Sequence, residues 1–115
     1  MLFWLPQGEP QPDHVHEFLT LCDQIGARHQ PVWLVIDQRN AGSIPAAARR
    51  LFLDYMRDVR PTVTCLFVHS SLAQRAAIRL LVGAARLLHG YQLQHMHFDS
   101  VELALQHVQQ QRPPD

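Results

Sequence analysis

Four short apolar runs alternate with four segments of helical periodicity, and no other feature constrains the fold of this chain so strongly. The runs are LFWL at 2–5, VWLVI at 32–36, TVTCLFV at 62–68 and LQHMHF at 93–98. The middle two are continuous rather than alternating and rich in β-branched and aromatic residues. That is the pattern of strands covered on both faces. Strand and helix repeated four times predict one α/β domain: a four-stranded, mainly parallel sheet with four alternating helices on both faces. The first run is short enough to be an edge strand running in either direction.

Each helical segment carries its own signals. The first is expected to start at Asp13 as N-cap and to bury Val15, Phe18, Leu19, Cys22 and Ile25 as one stripe. The second is expected from about Pro45 to Val59, with Ser43 as N-cap and Pro45 in the first turn. The third should run from Ser70 or Ser71 to about Leu88, with Gly90 as C-cap. Its buried face is expected to gather Ala77, Ile78, Leu81, Ala84, Ala85 and Leu88. The fourth is expected to begin at Asp99, where Asp-x-x-Glu with Glu102 mimics a capping box. The single domain should cover 1–112, leaving 113–115 as a disordered polar tail.

A chain of 115 residues can build a core without metal or disulfide. Ten basic residues balance ten acidic ones, which removes the electrostatic case for nucleic acid. All ten basic residues are arginines, so Schiff-base chemistry and a P-loop lysine are excluded. Cys22 and Cys65 read as small buried residues rather than a disulfide. The N-terminal residues are not expected to form a signal peptide, and no apolar run approaches the ~18 residues of a membrane span. The expectation is a cytoplasmic protein with no membrane insertion and no cofactor.

The ordered segments resemble a known family. VWLVIDQRNAGSIPAAARRLF is similar to the second half of a STAS domain (sulfate transporter and anti-sigma factor antagonist), where a hydrophobic strand ends in Asp and a loop leads to a Ser-capped helix. CLFVHSSLAQRAAIRLL resembles the following strand–Ser–helix unit, with Arg75 at a recurring arginine position. MHFDSVELALQHV resembles the closing unit of the stage II sporulation protein AA-like branch, and Gly8 fits an early family glycine. The likeness covers roughly 1–110. It implies a non-catalytic regulatory or scaffolding module that binds a protein partner through the Asp37–Ser43 loop and the helix start after it. Phosphorylated antagonists carry Asp-Ser-Ser-Gly where this chain reads AGSIPAA, with Ser43 alone.

Several residues stand out as sites. Ser43 reads either as a phosphorylation site at a positive helix end or as a plain cap. Asp37, Arg39, Asn40 and Ser43 form the first candidate partner surface. Arg75, Arg79 and Arg86 form the second, a stripe within about 40° of helix surface that also holds Val82 and suits partner carboxylates. A homodimer is a further expectation. The crevice beyond the strands' carboxyl ends would hold Gly8, Asp37, Gln38, Arg39, Asn40, His69, Ser70 and Ser71. There Asp37 and His69 could act as an acid–base pair, but no nucleophile accompanies them, so no catalytic residue and no enzyme are expected. His95 and His97 share a strand face yet lack further ligands; they are expected to be exposed, with no metal site. Trp4 and Trp33 read as packing residues. The alternative function is a domain holding a small or lipid-like molecule against the sheet.

Overall fold

The computed structural model describes residues 2–28 and 32–111; the expected tail at 113–115 lies outside them. In chain order the elements are β1 (Leu2–Trp4), α1 (Pro12–Gly26), β2 (Val32–Asp37), α2 (Ala46–Asp58), β3 (Val63–Val68), α3 (Leu72–His89), β4 (Gln94–Phe98) and α4 (Val101–Gln111). The four strands form one sheet in the order β1-β2-β3-β4, parallel throughout. The short first strand is an edge strand and runs with its neighbour.

Sequential order has a consequence for the helices. Each new strand adds on the same side of its predecessor, so right-handed crossovers lay all the connecting helices on one face. Accordingly Phe18 of α1 and Ile78 and Val82 of α3 pack with Leu34, Ile36, Cys65 and Phe67, joined by Phe52 of α2. The other face holds Val35, Leu66 and Val68, and α4 alone covers it with Ala104 and Val108. Helices thus lie on both faces, three against one. Side chains of β2 and β3 alternate between the two clusters, which is why both strands read as uninterrupted apolar runs. Burying Leu66 completely contributes about 2 kcal/mol.

Helix boundaries follow the chemistry of each end. Ser71 and Gln74 form the reciprocal capping box of α3, and Gly90 ends it in the left-handed conformation at φ 66°. Three starts differ from expectation. Pro12 occupies the first turn of α1 with Asp13 behind it, and the N-cap is Gln11 rather than Asp13. Pro45, not Ser43, is the N-cap of α2, because its fixed φ of −61° suits that position and Ser43 lies two residues further out. Ser100 replaces Asp99 at the start of α4: its hydroxyl accepts from the Leu103 amide at 3.2 Å.

Candidate functional site

At the carboxyl ends of the strands the predicted crevice residues do gather, but the protein closes this edge with its own groups. Gly8, at φ 64°, donates its amide to the Asn40 carbonyl at 2.8 Å. Its own carbonyl accepts from the Gly42 amide at 2.7 Å. These bonds stitch the β1–α1 connection to the β2–α2 connection. The Ser70 hydroxyl donates to the Gln38 side chain, and the Gln74 amide donates to the carbonyls of Gln38 at 3.0 Å and Ala41 at 3.1 Å.

Asp37 and His69 stand at the ends of adjacent strands, yet no hydrogen bond or ion pair joins them. Asp37 is buried and takes Arg39 instead, with the guanidinium Nη2 at 2.8 Å and the Arg39 amide at 3.1 Å. The Arg39 side-chain bonds hold the Asp37 carboxyl below the usual carboxylate range despite burial. An aspartate held ionised by its own loop is a poor general base for a neighbour. Ser71 is occupied as a cap, and Arg39, Asn40 and Ser43 are exposed.

The arginine stripe of α3 turns out to be a border, not an outward face. Val82 within it is buried. Arg75 and Arg79 lie near enough to His97 on the edge strand for their charges to act on it, and Arg75 lies 3.9 Å from Asp99. His95 and His97 are half-buried rather than exposed, and the His97 ring stacks on Phe67 at 5.3 Å between centroids. Burial and then the Arg75 charge lower the His97 pKa. Among the described residues no group of three metal-ligating side chains exists.

Two features escaped the sequence reading. The outward side of α3 is apolar over an arc of about 160°, from Leu72 through Ala76, Leu80 and Leu87 to Leu88. Its four leucines are between 68% and 87% exposed. Ala77 and Leu88, expected in the core, belong to this exposed arc. The signal was available: LLVGAARLL carries more apolar residues than one buried stripe requires. The second feature is a cavity of about 400 Å³ between the sheet and α1–α3; of the predicted crevice residues only Gln38 lines it. Both free cysteines line it; burial pushes the Cys65 thiol up to about 12 and Cys22 to about 11.

No helix among the described residues is long and apolar enough to cross a membrane. Comparison with protein-family models, curated proteins and solved structures finds no match to this chain.

Proposed function

We propose that this chain is a non-catalytic regulatory or scaffolding module, STAS-like in its ordered strand–helix units, that docks a protein partner. The observation that carries the reading is the exposed apolar face of α3, with Arg75, Arg79 and Arg86 along one border. Its four leucines present on the order of 500 Å², the upper end of what a monomer leaves uncovered. Arg79 and Arg86 carry no ion pair among the described residues. The partner that fits is an amphipathic helix whose apolar seam is edged by carboxylates, which arginine forks bind bidentately. A second copy fits less well. Packing α3 against α3 about a perpendicular two-fold axis brings like arginine borders together. The Asp37–Ser43 loop remains the secondary surface, with exposed Ser43 as its modification site.

The test is capture by full-length protein, compared between wild type, Leu80→Gln/Leu87→Gln and Arg79→Glu/Arg86→Glu, with circular dichroism confirming fold. A stoichiometric protein partner lost in the leucine variant, and weakened in the arginine variant, is the expected result. Concentration-dependent dimerisation abolished by the leucine variant would replace the proposal with self-association. Binding to anionic vesicles without any protein partner would replace it with a membrane surface.

A further inference from the structure

We infer that the cavity beneath α1–α3 is a binding site for an apolar molecule on the order of ten to sixteen carbons. Its volume of about 400 Å³ falls within the ~300–1,000 Å³ range of ligand sites. At the packing density of protein interiors, that volume sets the carbon count. The wall includes Trp4, Phe18, Leu34, Phe52, Phe67 and Ile78, contributed by three strands and all three helices of this face.

The wall is mostly apolar and its two charged groups, Asp23 and Arg60, are already engaged, and this sets the chemical class. The Tyr55 hydroxyl donates to Asp23 at 2.6 Å. Arg60 donates to the His89 and Gly90 carbonyls at 2.9 and 3.1 Å. A carboxylate carried into the apolar part of the wall would go unpaired and its desolvation uncompensated, since Arg60, the one cation of the lining, stands at the exposed end and donates to two carbonyls. An alcohol or a hydrocarbon meets no such cost. Exposed Ala27, Val59, Arg60 and Thr62 line the end nearest the strands' amino termini, so the molecule enters there. The opposite end is lined by Gln38, Ala41 and Gly42 of the stitched edge. The outward face of α3 contributes nothing to the wall, so this site and the docking surface stand or fall separately.

The test titrates N-phenyl-1-naphthylamine, an uncharged apolar fluorophore, into the full chain. We expect saturable, blue-shifted emission at a single molecule per chain. Dodecan-1-ol should displace the fluorophore at least about tenfold better than butan-1-ol, whose shorter chain fills a fraction of the volume, a difference of ~1.4 kcal/mol. Cys22→Phe, which fills the cavity, should weaken binding at least as much, while Leu80→Gln/Leu87→Gln leaves it unchanged. Should Cys22→Phe fail to fold, methyl NMR of the wild type decides: the site requires shifts at Leu34, Ile78 and Val82. Non-saturable emission, loss of binding in the leucine variant, or shifts confined to Leu72, Leu80 and Leu87 would overturn it.

Discussion

Tyr55 of α2 donates its phenolic hydrogen to the Asp23 carboxylate of α1 at 2.6 Å, tying two neighbouring helices together beside the cavity. Burial and this acceptor raise the Tyr55 pKa. Because Asp23 is exposed, the bond is partly screened, and Tyr55→Phe should cost about 1 kcal/mol. Urea denaturation would show it as a lower midpoint with unchanged slope.

Gly42 is pressed against the β1–α1 connection: a Cβ there would lie 2.9 Å from the Glu9 nitrogen. Backbone cannot give way as a flexible side chain can, so Gly42→Ala should destabilise by about 1–3 kcal/mol. Amide exchange should accelerate at Gly8 and at residue 42, whose hydrogen bonds hold the stitched edge.

The Asp37–Arg39 pair predicts an acid limb in stability. The folded carboxyl titrates below its unfolded value near 3.9, so the pair's contribution is complete above that pH. It is lost as pH falls through the lower folded value. Since Arg39 is mostly exposed, the contribution is about 1 kcal/mol or less. Asp37→Asn should lower stability at pH 7 and flatten the profile below pH ~4, as followed by thermal melts across pH.

His97 acts in the same direction at higher pH. Its folded pKa is depressed, so the fold favours neutral imidazole, and protonation works against folding. Stability should be greatest above the unfolded value of ~6.5 and decline as pH falls toward the folded one. Arg75, Arg79 and His95 are the charges that face the ring. His97→Gln should remove this step, and NMR of the His97 ring should place its midpoint below ~6.5.

The layered fold was legible because VWLVI and TVTCLFV can be uninterrupted only if both faces of the sheet are covered. The unequal division of helices was not legible, because strand order comes from pairing between distant segments and leaves no local mark. Caps failed where a second candidate stood within two residues of the expected one. Beside Ser43, Pro45 took the position because its ring sets φ, and Ser100 prevailed over Asp99 one residue away. Asp37 and His69 do stand at the ends of neighbouring strands, yet Arg39, two residues further along the chain, holds the carboxylate. The cavity could not be read at all. It arises from the spacing between three helices and the sheet, which no single segment encodes.

The three-against-one division also bears on how the chain assembles during synthesis. Each strand pairs with the one made just before it, so the face under α1–α3 can form progressively as the polypeptide emerges. Val35, Leu66 and Val68 gain no cover until α4 arrives. A nascent chain stalled before Val101 is therefore a half-clothed sheet with a sticky back, the stage at which chaperones would find it.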